Sequence, residues 1–165
     1  MKKTFLILLL TVITAQLLAQ TDSSNNYVKQ FIKIPTIRVN AVPDSAVFTN
    51  ANIKKQRPFI LMFFNPDCDH CQKEIKELMA YKQELQGVQI LMVSSASHAD
   101  IKDFYNDYKL SSMFNVSLGQ DAGLKLTSLY RVRTYPSMFV YDVNGNLAKA
   151  FVGNIGIPAV LDAIK

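Results

Sequence analysis

The chain has few of the residues from which metal sites are built. Among its 165 residues it has two cysteines, Cys68 and Cys71, and two histidines, His70 and His98. A C-x-x-C motif without a second cysteine pair is only half of a zinc site, so we expect no bound metal. The formal charge of +5 comes without a glycine-rich basic segment, which argues against nucleic acid as a partner.

The N-terminal region lacks an apolar run long enough to cross a bilayer. Lys2 and Lys3 precede 15 residues, Phe5 to Ala19, whereas a membrane span needs about 20. The pattern is typical of a signal peptide covering residues 1–19, and an uncleaved anchor is the alternative. We expect a soluble mature protein in the bacterial periplasm or outside the cell, without stable membrane insertion. Its charge would be +3, from 16 basic and 13 acidic residues.

No internal repeat or low-complexity segment divides the remaining sequence. Residues 20–29 are mostly polar and are predicted to form a flexible lead-in. Residues 30–165 have the length of one domain with a substantial core.

The two cysteines lie where a predicted strand gives way to a predicted helix. The apolar run from Phe59 to Phe64 is typical of a strand buried on both faces, and a helix is predicted over residues 68–86. Cys68 would lie at or beside the helix N-cap and Cys71 one turn later, where backbone N–H groups and the helix dipole favour a thiolate. The pair predicts a redox-active disulfide, Cys68–Cys71, with no other cofactor. A purely structural disulfide is the alternative, but so short a ring constrains little of the unfolded chain.

The remaining pattern predicts an α/β fold. Other strands are predicted at residues 31–39, 46–49, 88–94, 113–118, 137–143 and 147–152, and other helices after Ser97, over 121–130 and from Gly156 onward. Asn144-Gly145 is typical of a type I′ hairpin turn. Helices that alternate with strands, followed by a hairpin, favour a mixed central sheet with helices on both faces. His98 is expected in the exposed first turn of its helix, with no chemical role.

Three of these features together resemble the thioredoxin-like superfamily: C-x-x-C after a buried strand, Tyr135-Pro136 before a strand, and the Asn144-Gly145 hairpin. More narrowly, residues 30–165 resemble the TlpA/ResA branch of exported thiol–disulfide oxidoreductases, related to the redoxin domain. The resemblance implies a thioredoxin-like fold with an N-terminal strand extension and a βα insertion at residues 88–109. It also implies that Pro136 follows a cis peptide bond, faces the disulfide, and binds substrate together with Tyr135. A trans proline that starts a strand is the alternative.

The resemblance also implies a different role for each cysteine. Cys68 would attack a client disulfide, and Cys71 would then resolve the mixed disulfide. Glu74 matches a glutamate that this branch links to its active site. It is predicted either to relay a proton to Cys71 or to be an ordinary exposed helix residue.

Three residues near Cys68 are predicted to change the stability of its thiolate. A protonated His70 would stabilise the Cys68 thiolate, and the C-x-H-C spelling resembles strong exported oxidants of the DsbA type. Asp67 and Asp69 would oppose that thiolate. On balance a reducing or intermediate protein is expected, although the direction of electron flow stays open.

The partners predicted are disulfide-containing client proteins and a membrane or exported thiol donor of electrons. Two alternative functions remain. One is a thioredoxin-like copper carrier that uses the cysteines as metal ligands. The other is a thiol peroxidase, which is less favoured because no threonine precedes Cys68 in its turn.

Overall fold

Two apolar segments, residues 59–63 and 89–94, form the centre of a seven-stranded mixed sheet. The structure is a computed structural model, which describes residues 32–164. The strands are β1 (Arg38–Val42), β2 (Val47–Thr49), β3 (Phe59–Phe63), β4 (Gln89–Ser94), β5 (Val116–Gln120), β6 (Ser137–Tyr141) and β7 (Leu147–Val152). The helices are α1 (Asp69–Ala80), α2 (His98–Asp107), α3 (Lys125–Leu129) and α4 (Ile157–Asp162), with 3-10 turns at Asn50–Asn52 and Leu110–Ser112.

The strand order across the sheet is β2-β1-β5-β4-β3-β6-β7. β3, β4 and β5 are parallel, and the outer strands join them in antiparallel pairs. Every residue of β3 and β4 is buried, as is usual for interior strands covered on both faces. The predicted mixed central sheet is confirmed, and the predicted N-terminal strand extension is the β1–β2 hairpin.

Successive residues of β3 point into two separate halves of the core, as the two-residue repeat of a strand requires. Ile60 and Met62 pack in the same buried cluster as Cys71. Phe63 instead contacts aromatic rings, with centroids 5.2 Å from Tyr130 and 6.0 Å from Phe139. The central strand therefore supports the cysteine-bearing helix on one of its faces.

Several predicted elements are shorter or shifted. The helix predicted over 68–86 ends at Ala80 and continues as hydrogen-bonded turns, in which the Leu85 N–H donates to the Tyr81 carbonyl at 3.2 Å. The helix predicted over 121–130 begins only at Lys125, because Leu124 takes a left-handed conformation with φ of 53°.

The first strand is also displaced, from the predicted 31–39 to Arg38–Val42. The side chain of Asn50 explains the shift because it ties down the segment before β1. Its Oδ1 accepts the Ile37 N–H at 2.7 Å, and its Nδ2 donates to the Pro35 carbonyl at 2.8 Å. The strand predicted at 113–118 likewise begins later, at Val116.

The predicted type I′ turn at Asn144-Gly145 is wrong. Gly145 has a positive φ of 73°, but Asn144 does not, whereas a type I′ turn requires both. The carboxylate of Asp142 organises a longer loop instead, accepting the N–H groups of Asn144 and Asn146 at 2.8 Å each.

The predicted signal peptide, residues 1–19, and the lead-in, residues 20–29, lie outside the described residues. Between residues 32 and 164, no helix is both long and apolar enough to span a bilayer.

Candidate active site

The turn between β3 and α1 places the first cysteine at the start of the helix. Asn65 shapes this turn: its side chain accepts the Asp67 N–H at 3.0 Å, and its carbonyl accepts the Cys68 N–H at 3.1 Å. Cys68 is the N-cap of α1, and its thiol makes no capping hydrogen bond. The Cys68 carbonyl accepts the N–H of Gln72 at 3.0 Å. The predicted N-cap position is confirmed, and the thiol is left available for chemistry.

The two cysteines are both free thiols, but their environments differ. Cys68 is half-buried, whereas Cys71, one turn further along α1, has an exposed fraction of 0 %. Burial, assisted by the neighbouring Cys68 thiol and the charge of Glu74, raises the pKa of Cys71 to about 12, although a backbone hydrogen bond at Asn65 opposes the rise. Cys71 is therefore protonated at neutral pH and can act as a nucleophile only if another group removes its proton.

The loop before β6 reaches the first cysteine. The Cys68 thiol donates to the Tyr135 carbonyl across 3.8 Å, and the Tyr135–Pro136 peptide bond is cis, as predicted. Tyr135 is half-buried and Pro136 is buried. The Pro136 carbonyl already accepts the N–H of Gly153 at 2.8 Å. Residues 67 positions apart in the chain thus meet at the thiol of Cys68.

Glu74 is buried, with an exposed fraction of 0 %, so the alternative of an exposed helix glutamate is wrong. Its Oε2 accepts a hydrogen bond from the side-chain amide of Asn154. Its Oε1 is buried and has no hydrogen-bond partner among the described residues. Burial first, and then the charge of Glu77, raises the pKa of Glu74, while Asn154 and the nearby Ile155 and Gly156 amides lower it.

The three residues predicted to tune Cys68 lie at the surface, unlike the buried Cys71 and Glu74. Asp67, Asp69 and His70 are all exposed, so water and salt screen their charges. The other histidine, His98, is half-buried rather than exposed, and its Nε2 lies 3.1 Å from the Ser45 hydroxyl.

Asn154 is a site residue that no sequence motif reveals. It stands between Gly153 and Gly156, whose φ angles are 83° and 82°, and glycines at such positions mark a constrained loop. That is the only signal in the sequence, and it does not indicate which helix the asparagine contacts.

The described residues, 32–164, contain no group of three or more histidine, cysteine, aspartate or glutamate side chains arranged to hold a metal ion.

Comparison with known proteins places this site in a family. Residues 33–150 match the AhpC/TSA family. The chain is also similar to the methylamine utilization protein MauD of Methylophilus methylotrophus, at 24% identity over 113 residues. That alignment covers 68% of this chain and 51% of MauD, so the chain spans about half the length of this curated relative.

Solved structures share the fold. A secreted disulfide oxidoreductase of Mycobacterium tuberculosis, homologous to E. coli DsbE, has a TM-score of 0.66 and 17% identity, over 82% of this chain and 96% of that one. The peroxidoxin BcpB of the same organism has a TM-score of 0.66 and 14% identity, over 81% and 96%. The predicted thioredoxin-like superfamily is confirmed. Since proteins named for two chemistries share the fold, the chemistry of this chain has to be argued from its own site.

Proposed function

The chain belongs to the AhpC/TSA family, and from that premise we propose that it is an exported thiol–disulfide oxidoreductase that reduces or exchanges protein disulfides. The observation that supports this most directly is the asymmetry of the pair. Cys68 is half-buried at a helix N-cap, and Cys71 is fully buried one turn later. An accessible nucleophile followed by a protected resolving thiol is the arrangement that two-step disulfide exchange requires.

In the first step Cys68 attacks the client disulfide as a thiolate. One client sulfur forms a bond to Cys68, the client S–S bond breaks, and the second client sulfur leaves and takes a proton from water. The free N–H groups and the positive end of the α1 dipole stabilise the attacking charge.

In the second step Cys71 attacks the Sγ atom of Cys68. The Cys68–Cys71 disulfide forms, the bond to the client breaks, and the client sulfur leaves as a thiolate that takes a proton from water, which completes the reduced dithiol. Because the pKa of Cys71 is about 12, this step needs a base. We assign that role to Glu74, which lies one turn further along the helix.

The pair must be reduced again after each turnover. Two electrons have to come from a thiol donor, either membrane-bound or exported, by the same exchange chemistry in reverse. Export itself is inferred from the apolar N-terminal stretch and its preceding lysines, Lys2 and Lys3.

We assign client binding to Tyr135 and Pro136. The Tyr135 carbonyl lies 3.8 Å from the Cys68 sulfur, so an extended client chain beside the thiol would meet it. The Pro136 carbonyl is already bonded to Gly153. The Tyr135 carbonyl is therefore the better placed of the two to accept a client N–H, and the half-buried Tyr135 ring would contact neighbouring client residues.

The first test is the reduction potential of the pair, measured in the protein without residues 1–19 by equilibration with thiol buffers of known potential. We expect a value closer to about −270 mV than to about −120 mV, because the exposed His70 is offset by Asp67 and Asp69. A protein with no reversible two-electron couple would contradict the proposal.

The second test traps the intermediate. In Cys71→Ser, a disulfide-containing client should remain covalently attached to Cys68, and intact-mass spectrometry should show the added mass. The matched Cys68→Ser variant should form no such adduct. Turnover of hydrogen peroxide faster than that of a protein disulfide would instead favour a peroxidase. Stoichiometric Cu(I) binding that blocks exchange would favour a carrier.

A further inference from the structure

The short segment that joins β7 to α4, residues 153–157, contacts two parts of the candidate site. At its start the Gly153 N–H donates to the Pro136 carbonyl at 2.8 Å. At its end the Ile157 N–H donates to Oε1 of Glu77 at 3.2 Å. Between these anchors Asn154 donates its side-chain amide to Glu74. The 153–157 segment is therefore fixed to the client-binding loop on one side and to α1 on the other.

The backbone of this segment depends on glycine. Gly156 has a φ of 82°, and a Cβ atom there would lie 3.1 Å from Oε1 of Glu77. Gly153 has a φ of 83°. Such angles are costly for other residues.

We propose that Asn154 is a positioning residue for disulfide exchange: its amide holds the Glu74 carboxylate through Oε2 and leaves Oε1 free to take the proton that Cys71 loses. This inference rests on the proposed function and adds to it a residue that acts through its hydrogen bond to Glu74.

The argument starts from the two oxygens of one carboxylate. Oε2 is bonded to Asn154, whereas Oε1 is buried without a partner. A buried polar atom without a partner is uncommon in folded proteins and calls for an explanation. A proton acceptor must have an unoccupied lone pair, and at this position Oε1 has one. A fully bonded carboxylate would be a poorer base.

Asn154 also acts on the charge of Glu74. Burial favours the neutral acid, while a hydrogen bond donated to the carboxylate favours the anion. The Asn154 bond is the largest of three contributions, with the backbone amides of Gly156 and Ile155, that lower the pKa that burial raises, so it helps to keep Glu74 available as a base. Of the other titratable groups near Glu74, Glu77 and Cys71 belong to α1 itself. Residues 153–157 contribute no titratable side chain, and Asp162 on the packed helix α4 is exposed.

The experiment uses 5,5′-dithiobis(2-nitrobenzoate) and the reduced protein in a stopped-flow instrument. The first, second-order release of thionitrobenzoate reports formation of the mixed disulfide on Cys68. The second, first-order release reports attack by Cys71. We follow both phases from about pH 5 to pH 10 in wild type, Asn154→Leu, Asn154→Ser and the control Asn146→Ala, which alters the hairpin turn between β6 and β7.

We expect Asn154→Leu to move the midpoint of the second-phase pH profile upward by about one pH unit or more, because a hydrogen bond to a charged group is lost. Asn154→Ser keeps a donor and should move it less, in the same direction. If Asn154→Leu does not fold, the shift in Asn154→Ser provides the test. The first phase should be unchanged in both variants, and both phases should be unchanged in Asn146→Ala.

A second phase that slows by the same factor at every pH, or that keeps the wild-type midpoint, would overturn the proposal and leave Asn154 a purely structural role. So would a shift that persists when Asn154→Leu is combined with Glu74→Gln. Failure of the proposed function is a separate result: wild type would release only one thionitrobenzoate per protein, with no second phase.

Discussion

Two carboxylates are buried in the described part of this protein, and they differ in how many of their oxygens accept hydrogen bonds. Asp121 has an exposed fraction of 3 %, and both of its oxygens are bonded. Oδ1 accepts the Lys125 N–H at 2.9 Å, and Oδ2 accepts the Thr127 N–H and hydroxyl at 2.8 Å and 2.9 Å. Glu74 has an exposed fraction of 0 % and one bonded oxygen.

We expect such a difference between an acid with a structural role and the base that we propose for Cys71. Asp121 satisfies the first N–H groups of α3, which the helix itself cannot pair. Both oxygens of Asp121 therefore accept hydrogen bonds that stabilise the fold. Leaving a buried oxygen unpaired costs about 1–3 kcal/mol. Glu74 has such an oxygen, as we expect of the base proposed for Cys71.

The largest effect we expect is on stability, at Asp121. Asp121→Ala removes three hydrogen bonds to a buried carboxylate and should lower the free energy of unfolding by about 3–5 kcal/mol, measured by urea denaturation. Asp121→Asn keeps one acceptor oxygen and should lose less. Exchange activity per folded molecule should be retained in both. Loss of exchange activity in a folded Asp121 variant would contradict a purely structural role for Asp121.

The next effect is on rate, at Glu74. Glu74→Gln keeps the size of the side chain but cannot accept the Cys71 proton. The second thionitrobenzoate phase should slow by about 100-fold at pH 7, which corresponds to about 2.7 kcal/mol. The unfolding free energy at that pH should not fall, in contrast to Asp121→Ala. A Glu74→Gln variant with wild-type resolution would show that another group deprotonates Cys71.

The third effect is a pH dependence of stability. Because the pKa of Glu74 is raised on folding, the native state keeps a proton that the unfolded chain releases. The unfolding free energy should therefore fall as the pH rises above about 4.3, by about 1.4 kcal/mol for each unit by which the pKa is raised. The fall should end at the pKa of folded Glu74.

Glu74→Gln is the control for this fall, since it should show a flatter curve over the same range. Cys71 should produce a second decline between its ordinary pKa of 9.0 and about 12, which Cys71→Ser should remove. Parallel curves for wild type and Glu74→Gln above pH 4 would rule out a raised Glu74 pKa.

The smallest effect is expected at His98, which lies outside both carboxylate regions. Its Nε2 lies 3.1 Å from the Ser45 hydroxyl at the edge of the protein. His98→Ala should change the unfolding free energy by less than about 0.5 kcal/mol and leave both thionitrobenzoate phases unaltered. A larger effect of His98→Ala on exchange would assign chemistry to a residue that we expect to have none.

Local sequence was enough to predict the centre of the molecule. The run from Phe59 to Phe64 is typical of a strand covered on both faces, and Cys68 and Cys71 follow it within one turn of helix. The limits of other elements were harder to predict because they depend on distant side chains. Asn50 holds the chain before β1, and Asp142 lengthens the loop of the last hairpin.

The sequence by itself determined the redox motif, its position at a helix N-terminus and the α/β alternation, since each depends on residues within a few positions of one another. Only the tertiary structure decided that the Tyr135 carbonyl meets Cys68, that Glu74 is buried, and that Asn154 bonds to it from 80 positions away. Burial and long-range hydrogen bonds arise when separate elements pack around one sheet, and no short stretch of sequence records which elements will meet.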